Sequence, residues 1–505
     1  MRHKLLLPFL LAPLASRANV TLPALMTDNM VLQQKTNVAL WGWAAPGEAV
    51  TVTVSWQKAP RKVTADAQGN WLVRVTTGKA GGPYTIKVQG NNQLTINNVL
   101  LGEVWLCSGQ SNMAFPVTKR PNSGSYTGII NAAEVIPKAN YPKIRMFTVV
   151  QKVADTPQRD VKGSWAVCSP ETVGNFSAVA YFFGQEIHEK TGVPIGLINS
   201  SWGGTPAESW TRKDVLERDP ELRLLLARYE QGLTQRPAYE TALAAWKQER
   251  EANPQATSPK PTEPLSATSN KSPYKLYNGM IKGLEPYTLR GVIWYQGESN
   301  AERAHQYRKL FPAMIANWRQ DWQQPNLPFY FVQIAPHRSQ NPEIREAQLL
   351  TMQTVPHTGM AVITDAGDSL DIHPRNKQVV GHRLALWALS HEYGETKLPY
   401  SGPIYEAMKV ENGKARLRFK YADGLQAQGG PLRKFSVAGP DSVFVPAQAQ
   451  IEGNTVVVWS DKVKQPIAVR FGWSSSPEPN LYNAAGLPAS PFRTDTWRTP
   501  TQGKN

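Results

Sequence analysis

Hydrophobic and polar residues alternate along residues 19 to about 98 with the period of two that a half-buried strand requires. The alternation runs on both sides of the Pro46-Gly47 turn in VALWGWAAPGEAVTVTVSW and recurs in GNWLVRV and GPYTIKVQG. Short strands separated by frequent turn residues are typical of a β-sandwich. We therefore predict a β-rich, sandwich-like domain over residues 19–98.

The pattern changes over residues 99–394, where short apolar runs alternate with segments of helical spacing. The apolar runs and their polar tails are VWLCSGQSN, KIRMFTVV, PIGLINSSWGGT, LRGVIWYQGESN, FYFVQIAP and MAVITDAGDSLDIH. This alternation predicts an α/β domain with a parallel sheet covered by helices on both faces. Ligands bind such sheets beyond the carboxyl ends of the strands, so we expect the chemistry in the polar tails.

Two further segments complete the predicted organisation. Residues 212–272 interrupt the alternation with a charged helical stretch followed by a loop rich in Pro, Ser and Thr. They predict an inserted helical hairpin with a flexible loop beside the site, or a disordered surface excursion. Strands return over residues 395–505, with a hairpin turn at Asn412-Gly413, and predict a C-terminal β-rich domain.

The first residues of the chain have the pattern of a secretory signal peptide. Arg2, His3 and Lys4 precede the apolar run LLLPFLLAPLA, and Ser16-Arg17-Ala18 offers small residues at the two positions that a signal peptidase reads. The run is too short to span a bilayer, and no cysteine for a lipid anchor stands at the cleavage point. We expect residues 1–18 to be removed and the protein to be periplasmic or secreted, without a membrane anchor.

Charge and cysteine content argue against several classes of function. The net charge is +16, but the Lys and Arg residues are dispersed, and without zinc-finger spacing or a basic helix we expect no nucleic-acid partner. Cys107 and Cys168 are too few for a thiolate metal site. They could pair in an oxidising compartment, although the apolar run around Cys107 favours two buried free thiols.

Ser111 is the candidate nucleophile. It follows an apolar run and Gly109, at a turn where a helix is expected to begin, so its hydroxyl would lie over backbone N–H groups that favour developing negative charge. A helix-capping serine is the alternative interpretation. Ser299 is a rival, because Gly297 and the residues after it nearly match the G-x-S-x-G elbow of α/β-hydrolases, and motif matching cannot choose between the two serines.

His373 is the best candidate for a general base among the eight histidines. It follows a predicted strand, and Pro374 suits the first position of a helix, which would leave His373 at an exposed helix cap over the sheet edge. Asp371 could hold the imidazole in the right tautomer, with Asp368 as the nearest rival. A simple helix cap and loop carboxylates are the alternatives.

Further candidates lie in the other polar tails. Gly203 and Gly204 offer backbone amides, and Asn300 offers a side-chain amide, for an oxyanion hole completed by the Ser111 amide, although each residue is also a common turn former. The candidate substrate-binding residues, for which core packing and surface exposure are the alternatives, are Gln110, Trp202, Glu298, Arg345 and Gln348.

The segments GQSNM, WGGT, YQGESNA and DIHPRNK, in this order, resemble the SGNH (GDSL-type) hydrolases, and more narrowly the sialate O-acetylesterase branch of the carbohydrate esterases. The resemblance implies an α/β/α domain over about 99–394, with Ser111 as nucleophile and His373 as base. It also implies an oxyanion hole that contains Asn300 and a glycine at 203 or 204. No metal or cofactor is implied.

One departure concerns the acid. Many SGNH enzymes space the acid and the histidine as D-x-x-H, whereas this chain has D-x-H at Asp371 and His373. The departure leaves open a Ser–His dyad, or an orienting role for Asp368, Glu298 or a backbone carbonyl.

The resemblance implies a serine esterase that removes O-acetyl groups from carbohydrates, foremost the 9-O-acetyl group of sialate. One alternative is an esterase for acetylated xylan or another plant glycan, or for lipid esters, although the sequence shows no apolar lid. Another is a non-catalytic carbohydrate-binding protein, which the β-rich flanks and sixteen tryptophans suggest. The joint presence of Ser111, Asn300 and His373 argues against it, because binding alone needs no oxyanion hole.

Overall fold

A computed structural model of the protein describes residues 19–504, so the predicted signal peptide over residues 1–18 lies outside the described residues. The N-terminal region is built from short, mostly antiparallel strands, as the period-two pattern predicts. These strands are β1 (Val31–Gln33), β2 (Asn37–Trp43), β3 (Ala49–Val54), β4 (Arg61–Thr64), β5 (Asn70–Thr76) and β6 (Gly81–Gln89). Strands β2 and β5 pair with each other, while β3 pairs with β4 and β6.

Strand β7 (Gln93–Gly109) joins the N-terminal region to the centre of the molecule. Its first part pairs antiparallel with β6, and its last residues form the middle of the central sheet. Exposed and buried residues alternate at its beginning, and from Val99 onward every residue is buried, because the sheet is then covered on both faces. The predicted domain boundary at residue 98 therefore falls inside one continuous strand.

The central sheet has the strand order β13-β12-β11-β7-β10-β8-β9. All of its strands are parallel except β9, which runs antiparallel to β8 at the edge. Beside β7, the strands are β8 (Tyr141–Thr148), β9 (Trp165–Cys168), β10 (Ile195–Ser201), β11 (Gly291–Tyr295), β12 (Phe329–Gln333) and β13 (Thr358–Val362). The predicted α/β fold with a parallel sheet is confirmed.

Helices cover both faces of this sheet. On one face the Trp105 ring packs on Phe183, and on the other face the Trp294 ring packs on Phe311; both phenylalanines belong to helices. Trp294 lies beside Ser108 in the register of β7, three residues beyond Trp105, so the two tryptophans point to opposite faces. The helices are α1 (Ser111–Ala114), α2 (Ala132–Lys138), α3 (Ala178–Thr191), α4 (Lys213–Arg218), α5 (Pro220–Ala252), α6 (Ala304–Asp321), α7 (Pro342–Thr354) and α8 (Lys377–Glu392).

The insertion after β10 differs from the predicted helical hairpin. It holds the short helix α4 and the single 33-residue helix α5, and residues 253–272 return along α5 as an irregular segment with turns. Gly232 makes the return possible, because a Cβ there would lie 2.7 Å from the carbonyl oxygen of Leu265. The Trp246 indole donates a hydrogen bond to the carbonyl of Ser258 at 3.0 Å. The loop is therefore packed rather than free.

The C-terminal region is again β-rich, as predicted, and the hairpin at Asn412-Gly413 is present with both residues at positive φ. Its strands are β14 (Ile404–Glu411), β15 (Lys414–Lys420), β16 (Gln426–Ala427), β17 (Phe435–Ala438), β18 (Phe444–Pro446), β19 (Gln448–Glu452), β20 (Thr455–Trp459), β21 (Ala468–Phe471), β22 (Leu481–Tyr482) and β23 (Phe492–Arg493). They form two four-stranded sheets and one two-stranded sheet.

Several features bear on the function classes considered above. Cys107 and Cys168 are both free and buried, in agreement with the preferred interpretation. Within residues 19–504, no helix combines the length and apolar character needed to cross a bilayer. The same residues contain no cluster of three or more His, Cys, Asp or Glu side chains suited to a metal ion.

Candidate active site

The carboxyl ends of four parallel strands meet at one edge of the central sheet and bring the predicted polar tails together. Ser111 follows β7, Gly203 follows β10, Glu298 follows β11, and His373 follows β13. Such an edge is where parallel sheets bind ligands, because loops of different chain segments converge there.

Ser111 is the first residue of the short helix α1. The turn that places it depends on Gly109, whose φ is +138° and where a Cβ would lie only 2.1 Å from the carbonyl oxygen of Tyr295. The Gln110 amide donates to that same carbonyl at 2.9 Å and fixes the turn against β11. The Ser111 residue is 8% exposed, so its hydroxyl lies in a largely enclosed environment.

His373 meets Ser111 directly. The imidazole Nε2 lies 2.8 Å from the Ser111 Oγ, a distance at which the hydroxyl donates a hydrogen bond to a neutral ring nitrogen. The predicted placement of His373 at a helix cap is wrong. Helix α8 begins at Lys377 and is capped by Asn376, whose side chain accepts from the Val379 amide. His373 lies in the loop before α8, and this loop carries it to the serine.

Neither predicted acid hydrogen-bonds to the imidazole. Asp371 Oδ1 lies 3.9 Å from His373 Nδ1 and instead accepts the backbone amide of His373 at 2.8 Å. Asp368 is exposed and accepts the amide of Leu370. Of the two predicted acids, Asp371 is therefore the one close to the imidazole, but its hydrogen bond holds the backbone of His373 and not the ring.

Gly203 lies against the serine. A Cβ at this position would lie 3.3 Å from the Ser111 Cβ and 2.8 Å from the Tyr126 hydroxyl. The amides of Gly203 and Ser111 have no acceptor among residues 19–504, so both remain available to a developing oxyanion. Gly204 is exposed, and a Cβ there would meet only the Lys271 side chain, at 4.0 Å. Of the two predicted glycines, the structure brings Gly203 to Ser111.

Asn300 makes supporting hydrogen bonds that the sequence did not predict. Its side-chain amide donates to the buried Glu208 carboxylate at 2.8 Å, and its carbonyl oxygen accepts from the Ala207 amide and from Gln296. It makes no hydrogen bond with Ser111 or with Gly203 in the described structure. This arrangement holds the turns after β10 and β11 together. The second N–H of the Asn300 amide has no acceptor among the described residues, so a place for Asn300 in the oxyanion hole stays a prediction.

A buried hydrogen-bonded group around Asn112, the residue after Ser111, was not predicted. The Asn112 side chain accepts from the Lys377 ammonium and donates to the Glu298 carboxylate at 2.6 Å and to the Ile372 carbonyl at 3.0 Å. Asn112 and Lys377 are fully buried. The signal was present in the sequence, because Asn112 lies in GQSNM and Lys377 in DIHPRNK, but partners so far apart in the chain cannot be assigned from it.

The electrostatics of this region favour a neutral imidazole. Burial lowers the pKa of His373, the Lys377 cation and His337 lower it further, and Asp371 opposes the change. Burial also lowers the pKa of Lys377 to about 7, against a partial counter-effect of Glu298. Glu298 itself has a raised pKa because burial disfavours its charged form. A neutral His373 can accept the proton of Ser111 near neutral pH.

Two of the predicted substrate-binding residues are not in the site. Arg345 is fully buried and donates to the carbonyl oxygens of Ile334, Ala335, Ser474 and Ser475. Gln348 is also fully buried, and its amide donates to the carbonyls of Gln296 and Val332. Both residues therefore fasten the end of β12 to its neighbours, and Arg345 also fastens the C-terminal region to the central domain.

The other predicted substrate-binding residues lie near Ser111 in different environments. Gln110 is buried and accepts the Ser299 amide, while Glu298 is bonded to Asn112. Trp202 is half-buried beside Gly203, where a ligand-lining role stays a prediction. Tyr126, which the sequence pattern does not single out, lies with its ring centre 6.2 Å from that of His373.

Comparison with known proteins points in the same direction as the geometry. Residues 263–390, which include His373 but not Ser111, match the family model of carbohydrate esterases described as sialic acid-specific acetylesterase. The sialate O-acetylesterase of Rattus norvegicus is 31% identical over 92% of this chain and 92% of its own length. The Homo sapiens enzyme of that name is 29% identical over 92% of this chain and 91% of its own.

A solved structure is also similar over nearly the whole chain. The crystal structure of a novel carbohydrate acetylesterase from Xanthomonas citri is 38% identical in sequence and superposes with a TM-score of 0.80. The match covers 95% of this chain and 100% of that one, so it includes the central sheet and both β-rich regions.

Proposed function

Because the chain belongs to the sialate O-acetylesterase family of carbohydrate esterases, and is thus a carboxylic ester hydrolase, we propose that it removes O-acetyl groups from carbohydrates with Ser111 as nucleophile. The observation that carries the proposal is the 2.8 Å contact between Ser111 Oγ and His373 Nε2 at the sheet edge. A hydroxyl is a weak nucleophile by itself, and a base at hydrogen-bond distance is what activates it.

In the first half of the reaction, Ser111 Oγ attacks the carbonyl carbon of the acetyl group while His373 Nε2 takes the hydroxyl proton. The carbonyl oxygen becomes an oxyanion, to which the amides of Ser111 and Gly203 donate; this role is supported by their lack of an acceptor among the described residues. The bond between the acetyl carbon and the sugar oxygen then breaks, and His373 gives its proton to that oxygen. The deacetylated sugar leaves and an acetyl-serine remains.

In the second half, water replaces the sugar. His373 takes a proton from the water, which attacks the acetyl carbon, and a second oxyanion forms on the same two amides. Collapse of this intermediate breaks the bond to Ser111 Oγ, returns the proton to the serine and releases acetate. The lowered pKa of His373 supports this double role, because the imidazole begins each half in its neutral form.

The first substrate proposed is O-acetylated sialic acid, in particular its 9-O-acetyl ester, on the basis of the relatives of that name. A second candidate is an acetylated plant glycan such as xylan, because the similar solved structure, 38% identical, is described as a carbohydrate acetylesterase without restriction to sialic acid. Purified protein should be offered both substrates side by side at equal ester concentration. A ratio of kcat/KM well above ten in either direction identifies the class, and no acetate from either substrate contradicts the proposal.

We also propose that the protein is exported, from the pattern of residues 1–18. The mature chain would then begin at Asn19 and act on carbohydrates outside the cytoplasm. N-terminal sequencing of the protein recovered from a periplasmic or culture-medium fraction tests this directly. Recovery of the whole chain with Met1 from the cytoplasm contradicts it.

A further inference from the structure

Asn112 lies between a buried cation and a buried anion, directly after the serine. Its carbonyl oxygen faces the Lys377 ammonium, and its amide nitrogen faces the Glu298 carboxylate. An ammonium group only donates and a carboxylate accepts, so the two ends of the Asn112 amide are each matched to one partner. The orientation of Asn112 is therefore set by the two charged residues.

The second hydrogen bond of the Asn112 amide reaches the loop that carries the histidine. It goes to the carbonyl of Ile372, at 3.0 Å, immediately before His373. The amide of His373 is held from the other side by Asp371 Oδ1. The peptide group that joins Ile372 to His373 is thus held at both its carbonyl and its N–H, although the imidazole ring donates no hydrogen bond to a carboxylate.

The Lys377 ammonium group lies in a buried, largely aromatic environment. It is fully buried, with its ammonium nitrogen 4.7 Å from the ring centre of Phe115 and 5.4 Å from that of Tyr295. Glu298 presents one oxygen to Asn112, and its other oxygen is buried without a hydrogen-bond partner among the described residues. In such a poorly solvated environment charges interact more strongly than at the surface.

We propose that Lys377 is a positioning residue of the esterase site, which holds the His373 loop through Asn112 and keeps a buried ammonium group at the support of that loop. This inference rests on the proposed function, in which His373 must be neutral to act as base. The other charged or titratable groups that face His373 are Asp371 on its own loop, His337 on the loop after β12, and the Tyr126 hydroxyl before α2. Lys377 and His337 both oppose protonation of His373, and of these two Lys377 is the one that hydrogen-bonds to Asn112, which in turn holds the His373 loop.

The test compares Lys377→Met with Lys275→Met. Lys275 is the matched control, because it is also a buried lysine, but its partner is the Asp155 carboxylate and it makes no hydrogen bond with Asn112 or the His373 loop. For Lys377→Met we expect kcat to fall by about ten- to a hundredfold, with KM within about threefold of wild type. The acidic limb of the kcat/KM profile should also move to higher pH. The ratio of wild-type to variant kcat/KM should therefore be at least threefold larger at about pH 5.5 than at about pH 8.

For Lys275→Met we expect a pH profile parallel to that of wild type. A Lys377→Met enzyme whose profile is also parallel to wild type overturns the proposal even if kcat is lower, because loss of packing lowers activity equally at every pH. The double variant Lys377→Met/Glu298→Gln, which leaves no uncompensated buried carboxylate, should fold where the single variant does not and should show the same displaced limb.

A second measurement needs no variant at position 377. Histidine-selective NMR of the wild type, with the His373 signal assigned by its loss in His373→Ala, should show titration below the ordinary imidazole value of about 6.5. Titration at or above that value overturns the proposal. Failure of the proposed function is separate, because it would appear as full acetate release by Ser111→Ala.

Discussion

Ser111 Oγ and His373 Nε2 lie 2.8 Å apart, although the two residues are separated by 262 positions in the chain. The contact arises because β7 and β13 end at the same edge of the sheet and the loop between β13 and α8 reaches back across β12 and β11. The loop is held by hydrogen bonds from Asn112 and to Asp371 rather than by a helix cap. The chemistry proposed here depends on that support as much as on the two side chains.

The two glycines after β10 should respond differently to alanine. In Gly203→Ala the new methyl group would crowd Ser111 and displace the Tyr126 hydroxyl, which would disturb the amide that receives the oxyanion. We expect kcat to fall by about a hundredfold, the effect of losing one oxyanion donor.

Gly204→Ala is the comparison. Its φ of +72° is unfavourable for alanine, but a methyl group there meets only Lys271. We expect a loss of stability of about 1 kcal/mol and a kcat within about threefold of wild type. Steady-state kinetics and thermal unfolding of both variants check this, and a larger kcat loss in Gly204→Ala than in Gly203→Ala would contradict the assignment.

Asp371→Asn should be only partly inactive. Its carboxylate accepts the His373 backbone amide and lies 3.9 Å from the ring, and the asparagine carbonyl can still accept that amide. We expect kcat to fall by about ten- to a hundredfold, well short of the roughly 10⁴-fold loss seen when a triad carboxylate bonded to the ring is replaced. Asp368→Asn should resemble wild type, since Asp368 is exposed and caps only its own turn. A loss in Asp371→Asn equal to that in His373→Ala would mean that the carboxylate bonds to the ring during turnover.

Hydrolysis should persist into mildly acidic solution. His373 must be neutral to accept a proton, and burial together with Lys377 lowers its pKa below the ordinary value of 6.5. Activity is therefore kept as the pH falls past 6.5 and is lost only as it falls through the lower pKa of the folded enzyme. The dependence of kcat/KM on pH, measured from about pH 4.5 to 8, reports this pKa. An acidic limb centred at or above 6.5 would contradict the account.

Arg345 should matter for stability rather than for substrate binding. Arg345→Met would leave three carbonyl oxygens without a donor, those of Ile334, Ala335 and Ser474, while the Ser475 carbonyl would keep the His337 amide. We expect the free energy of unfolding to fall by about 3–5 kcal/mol, because each buried carbonyl left unsatisfied costs about 1–3 kcal/mol, with KM of the folded fraction within about twofold of wild type. Arg218→Met is the control, because Arg218 is exposed and its ion pair with Asp214 is worth about 1 kcal/mol or less. A raised KM without loss of stability would restore Arg345 to the substrate pocket.

Much of the fold could be predicted because the apolar pattern reports burial. Period-two alternation marks β2 and β5, and the continuous apolar run in β7 marks a strand covered on both faces. The meeting of Ser111 and His373 could also be predicted, since parallel strands share one carboxyl edge. These inferences need only local pattern and one rule of sheet topology.

The remaining errors concern partners that are far apart in the chain. Arg345 bonds to Ser474, 129 positions away, so its side chain near a strand end was predicted to face the substrate although its donors are taken up by carbonyl oxygens. The bond from Asn300 to Glu208, 92 positions away, could not be predicted from the sequence either. The start of α8 was misplaced for a local reason. Pro374 and Asn376 are both common at helix starts, and only the hydrogen bond to Val379 distinguishes them.

The most direct test of the account is multiple-turnover acetate release by the wild type and by Ser111→Ala on the better of the two acetylated substrates. Ser111→Ala removes only one oxygen, so its fold should be unchanged by circular dichroism and thermal unfolding. The account predicts that the wild type releases acetate catalytically, and that the variant is slower by about 10³-fold or more. Acetate release by a folded Ser111→Ala enzyme at a rate close to wild type would contradict it, and the nucleophile would then have to be sought elsewhere, first at Ser299.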